Sequence, residues 1–214
     1  LKEMRKANLE QISNAINNFK LCGKVRGAIP YGNGHINDTF KIITVEDDGT
    51  EHLYILQSVN NNVFKKPEQV LANIESVTDY LKGIVESPRE VLVLAKTYND
   101  TTYYKDKDGY FWRIYDFVTD SICLDRVEDT EDFYQCALAF GKFQKYLTDF
   151  PADTLYETIP DFHNTPKRYE NFLKAVDVLE AVNEALEKEH GSLDEKVSLG
   201  ATKYAFLKYK VGGN

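Results

Sequence analysis

The chain has 214 residues, 43% of them hydrophobic, with 14 Tyr and 12 Phe, a composition that folds into one domain or two small lobes around a real core. A formal charge of -8 argues against a nucleic-acid partner, since phosphate neutralisation needs a basic face. No apolar run reaches the ~20 residues of a membrane span, and Leu1–Lys6 lacks a signal-peptide core, so a cytoplasmic protein with no nucleic-acid or membrane partner is expected.

Residues 7–21 carry Leu9, Ile12, Ile16, Phe19 and Leu21 at helical spacing and predict a first helix. Three short β-rich stretches follow: Lys24 to Tyr31, Thr39 to Glu46 and His52 to Ser58, with Asp47-Asp48-Gly49 as the turn between the last two. Val70, Ile74, Val77 and Leu81 behind Pro67 predict an amphipathic helix over 67–84, ended by Ser87-Pro88. Val91 to Tyr98, Thr101 to Lys105 and Tyr110 to Val118 read as further strands, the last two joined by Lys107-Asp108-Gly109.

Beyond Val118 the class changes. A polar stretch, 119–130, leads to a helix capped by Thr130, with Phe133, Cys136, Ala137, Phe140 and Leu147 on its apolar side. An irregular loop, Asp149 to His163, precedes a helix opened by Thr165-Pro166 and running to His190. Val197 to Val211 forms either a helix or a strand. The fold class is therefore α+β: a sheet lobe over 1–118, then a linker and a partial helical lobe over 119–214.

Cys22, Cys123 and Cys136 have no C-x-x-C spacing and read as buried, reduced thiols. His35, His52, His163 and His190 are scattered without ligand spacing, so no metal site is expected.

The most informative segment is Tyr31-Gly32-Asn33-Gly34-His35-Ile36-Asn37-Asp38-Thr39, a glycine-containing polar turn between strands. Its glycines allow bare backbone N–H groups to approach a ligand, as a phosphate loop requires, and an ordinary hairpin would use the same residues. With Tyr54-Ile55-Leu56-Gln57, Trp112-Arg113-Ile114-Tyr115-Asp116-Phe117 and the run from Ile159 to Tyr169, it gives four segments in order. In this the chain resembles the aminoglycoside phosphotransferase and choline kinase family of protein-kinase-like fold, and within it the bacterial N-acetylhexosamine 1-kinases, over residues 25 to about 173.

The resemblance implies ATP and magnesium as cofactors of the complete enzyme and an amino sugar as substrate. Gly32, Asn33 and Gly34 would lie over the phosphates. His35, Asn37 and Asp38 would reach the sugar hydroxyls or, alternatively, cap their own turn. Gln57 stands where the family places a strand-borne Lys or Arg, with Glu68 or Glu75 as its helix partner, so phosphate charge must be met by magnesium or by another basic residue. Tyr115, Asp116, Phe117 and Val118 would form the adenine-binding hinge or simply fill the core.

The family's catalytic loop, H-N-D or H-G-D with a later Asn and a further Asp for metal, has no counterpart here. His163-Asn164-Thr165 lacks the Asp and matches the loop before the family's next helix. No catalytic or metal residue is therefore assigned. The chain reads as the N-terminal portion of such a kinase, expected to turn over no sugar alone and to self-associate through its incomplete helical lobe. The alternative is a non-catalytic nucleotide- or protein-binding module on the same fold.

Overall fold

The computed structural model describes residues 7–190, apart from His35, Cys123, Asp125 and Glu128, with side chains described as far as residue 185. The chain divides into two compact units between Ile159 and Pro160.

In the first unit, α1 (Leu9–Asn17) is opened by a capping box in which the Asn8 side chain accepts from the Gln11 backbone while Gln11 reaches back to Asn8. Five strands follow: β1 (Lys24–Pro30), β2 (Asp38–Val45), β3 (Glu51–Ser58), β4 (Tyr104–Lys105) and β5 (Phe111–Asp116). They form one antiparallel sheet in the order β1-β2-β3-β5-β4. Helix α2 (Pro67–Lys82), with Pro67 at its start, is inserted between β3 and β4. Helix α3 (Thr130–Tyr146) follows the sheet.

Strand alternation decides what each sheet face does. Phe40, Ile42, Tyr54, Leu56, Trp112 and Ile114 point toward α1 and pack with Ile12, Ala15, Ile16 and Phe19. Fully burying a side chain such as Leu56 or Ile114 contributes roughly 1.5–3 kcal/mol, so this layer dominates the fold. The Trp112 indole N–H, which burial would otherwise leave unpaired, donates to Asp106 at 2.9 Å. On the opposite face α2 covers one end, where Leu71 meets Val59 and Phe111. The rest of that face is half-buried except at Ile55, which is buried.

The expected strand over 91–98 does not form. Its backbone makes isolated contacts with β5, Ala95 N–H to Ile114 at 2.9 Å and Asp116 N–H to Val93 at 3.0 Å, interrupted by the Pro88–Glu90 3-10 turn before it and a positive-φ Asp100 after it. The cap of α3 is Asp129, whose carboxylate accepts from the Asp132 N–H at 2.9 Å, rather than Thr130. Cys22 and Cys136 are exposed, not buried: the first lies in the loop before β1, and the second is on α3, which buries none of its residues. Cys123 lies outside the described residues.

Helix α3 is tied to the segment after α2 by polar contacts. Lys142 pairs with Glu90 at 2.7 Å, and the Tyr146 hydroxyl donates to Glu90 at 2.8 Å. Together these hold the Glu90 carboxyl below its usual range and the Lys142 ammonium above its own. The second unit contains α4 (Thr165–His190). Asn164 caps it by accepting from the Lys167 N–H at 3.1 Å. The Val197 to Val211 stretch lies outside the described residues. No helix among the described residues is long and apolar enough to cross a membrane.

Candidate functional site

The half-buried sheet face is organised in two rows. Thr39, Gln57 and Arg113 stand side by side across β2, β3 and β5, and Lys41, Ile55 and Tyr115 form the next row. Arg113 directs both Nε and Nη2 at Gln57 Oε1, at 3.1 and 2.7 Å, and the Gln57 amide donates to Thr39 Oγ1 at 3.1 Å. Gln57 is thus the middle of a chain that orients a guanidinium. Its helix partner is not Glu75, which pairs with Lys96 at 2.7 Å.

Among the described residues Arg113 has no carboxylate partner. Burial lowers its pKa below the ordinary guanidinium value, offset in part by Tyr115, yet it stays charged at neutral pH. Its guanidinium carbon lies 5.9 Å from the Tyr115 ring centre. Burial pushes the Tyr115 phenol above its usual value, against the favourable charge of Arg113. A half-buried cation without a counterion is costly and marks a place where an anion is attracted.

The glycine turn joins this face to the segment after β5. Tyr31 packs edge-on against Phe117 at 5.5 Å, and Lys41 Nζ sits 4.4 Å from the Phe117 ring centre and 6.0 Å from that of Tyr31. Only Gly32 of the two glycines has a positive φ, +81°, and a Cβ at either would meet no atom within 4 Å. In the expected hinge, the Phe117 N–H bonds Leu53 at 3.0 Å and the Val118 carbonyl accepts from the Ser121 hydroxyl at 2.7 Å. With Asp116 N–H on Val93, three hinge groups are already paired within the chain.

The other end of the turn opens on the α1 side. Gly34, Asn37 and Asp38 line a pocket of about 200 Å³ with Asn60, Asn61 and Asp108. Asn37 Oδ1 accepts from the Asn60 N–H at 3.0 Å, and Asp38 Oδ2 from the Ala7 N–H at 2.9 Å. Both side chains therefore bond to distant segments and do not simply cap their own turn. Asn61 Oδ1 is buried with no hydrogen-bond partner among the described residues. His35 lies outside the described residues.

No family model matches the chain. A solved aminoglycoside phosphotransferase from Alicyclobacillus acidocaldarius superposes with a TM-score of 0.55 at 10% identity, over 94% of this chain and 51% of that one. The chain has a phosphotransferase-like, kinase-like fold. It spans about half the length of that solved protein. At 10% identity the likeness carries the fold alone, so the role of each residue rests on the geometry above.

Arg113, Lys41 and Asn61 were not singled out by the sequence. The strand alternation does contain the signal for Arg113, since the register that sets Gln57 on the open face sets Arg113 beside it.

Proposed function

We propose that the chain is the nucleotide-binding portion of an ATP-dependent phosphotransferase, with the sheet face of Arg113 and Lys41 receiving the nucleotide. The observation that carries this reading is Arg113 itself, a half-buried guanidinium held by Gln57 and without a carboxylate partner among the described residues. It supplies the positive charge that a neutral Gln57 cannot. Tyr31, Phe117 and Tyr115 offer apolar ring surface for a base, and the Gly32–Gly34 turn offers backbone N–H groups for phosphate oxygens.

The rows holding Arg113 and Lys41 carry no carboxylate, so magnesium would arrive with the nucleotide and not on a protein site. In keeping with the resemblance, the acceptor of the complete protein is an N-acetylhexosamine phosphorylated at its anomeric hydroxyl; the polar pocket beside Gly34 opens on the α1 side, across the sheet from Arg113 and Lys41, and is not assigned to it.

Calorimetric titration with magnesium-ATP, with and without N-acetylglucosamine or N-acetylgalactosamine, tests both parts. Saturable nucleotide binding that Arg113→Ala weakens is the expected result. Absence of nucleotide binding favours a protein-binding module on the same fold.

A further inference from the structure

At the end of β2 remote from the glycine turn, three metal-ligating side chains from three separate segments converge. Cys22 precedes β1, Glu46 follows β2 and His52 lies on β3; one ligand atom from each lies within 4.8 Å of the others. His52 Nε2 is 2.6 Å from Glu46 Oε1. The eight residues of β2 set this cluster about 23 Å from the start of that strand, at ~3.3 Å per residue. It is independent of the nucleotide reading.

The backbone holds the cluster together. The tight turn after β2 returns the chain within four residues, with Glu46 N–H on the Thr50 carbonyl at 2.8 Å and Gly49 N–H on Glu46 at 3.0 Å. This brings Glu46 and His52 face to face. Gly23 has φ +74°, and a Cβ there would lie 2.6 Å from the Val45 backbone, so glycine alone lets the Cys22 loop close onto the end of β2. Cys22 is pinned on both sides of its peptide: its N–H donates to the Tyr54 hydroxyl at 3.1 Å, and its carbonyl accepts from Thr44 Oγ1. Tyr54 also stacks on the His52 ring, 6.4 Å between centres and 26° between planes. One tyrosine thus positions two of the three ligands.

We infer that Cys22, Glu46 and His52 form a binding site for a borderline-soft divalent cation, zinc above all. Thiolate, imidazole and carboxylate together select Zn²⁺ over the oxygen-seeking Mg²⁺ or Ca²⁺. Three protein ligands leave the fourth tetrahedral position for water. Cys22 and Glu46 are exposed, so rotation of their side chains closes the set to the roughly 2.0–2.3 Å bond lengths zinc requires. On binding, the Cys22 thiol proton passes to solvent and the imidazole proton resides on Nδ1, leaving sulfur, Nε2 and a carboxylate oxygen as donors. The cation would fasten the Cys22 loop to the β2–β3 turn and raise stability by mass action.

The test is titration of the reduced chain with Zn²⁺ alone, and with Co²⁺ as a spectroscopic probe. One equivalent should bind, raise the melting temperature, and with Co²⁺ give a sulfur-to-metal charge-transfer band. Cys22→Ser should abolish the band, whereas Cys136→Ser should keep it. His52→Ala and Glu46→Gln should each weaken zinc binding at least tenfold with the circular dichroism unchanged. Absence of a cobalt–thiolate band, or zinc binding unaltered by Cys22→Ser and His52→Ala, would overturn the site.

Discussion

Arg113 gives two of its hydrogen bonds to a single atom, Gln57 Oε1, at 3.1 and 2.7 Å. The amide therefore orients the cation, and the two residues act as a unit on the open face of the sheet. Gln57→Ala should loosen Arg113 without removing its charge. Magnesium-ATP affinity should fall several-fold, in line with the ~1 kcal/mol of a neutral hydrogen bond. Gln57→Glu, which pairs the guanidinium with a carboxylate, should weaken binding more than Gln57→Ala; equal affinities in titration would show that the free charge is not what matters.

The two glycines of the turn should behave differently. Gly32 sits at φ +81°, where a β-branched residue is strained, so Gly32→Val should lower stability by about 1 kcal/mol or more. A Cβ at Gly34 would meet no described atom within 4 Å and the residue has no positive φ, so Gly34→Val should leave the melting temperature nearly unchanged while weakening nucleotide binding. Unchanged affinity would make the loop an ordinary turn.

Much of the fold was legible because its signals are local and periodic. Apolar spacing over 70–81, Pro67 and the Asp-Asp-Gly turn predict α2 and the β2–β3 hairpin closely. The 91–98 strand failed because its Val- and Leu-rich run has β propensity, whereas the chain there makes only isolated bridges. The Arg113–Gln57 pair and the Cys22–Glu46–His52 cluster depend on register and loop closure across 56 and 30 residues of sequence, from residue 57 to 113 and from 22 to 52, which no local pattern reports. Residue spacing among histidines alone gives no hint of a ligand set completed by Cys and Glu.

No His in the chain is followed two residues later by Asp, so on the proposed reading this sequence does not supply the H-x-D carboxylate that would orient an acceptor hydroxyl. A coupled assay of homogeneous protein with magnesium-ATP and either N-acetylhexosamine should give no turnover above background. Turnover that persists after further purification would contradict this.

Helix α3 presents Phe133 and Phe140 with 67% and 65% of their surface exposed. An apolar strip of this kind drives association, so light scattering should detect dimers or larger species as concentration rises. Phe133→Glu with Phe140→Glu should return the chain to monomer; a monomer in both cases would show that the strip is not adhesive.

Burial raises the pKa of both Tyr54 and Tyr115 above the ordinary phenol value of about 10. The folded chain therefore holds these protons where the unfolded chain releases them. Their contribution to stability is intact below pH ~10 and is lost as pH rises from there through the folded values. Denaturant unfolding of Tyr115→Phe should show a shallower alkaline loss than the unmodified chain. An identical slope would mean Tyr115 ionises alike in both states.

On the proposed reading, a guanidinium oriented by Gln57 and without a carboxylate partner among the described residues makes this sheet face a nucleotide site. Magnesium-ATP titration of Arg113→Ala against the unmodified chain tests it most directly. Loss of a charged hydrogen bond, about 1.5–3 kcal/mol, predicts roughly a ten- to hundredfold weaker complex with the same unfolding behaviour as Gln57→Ala. Equal affinity of the two proteins, or no nucleotide binding by the unmodified chain, would contradict it.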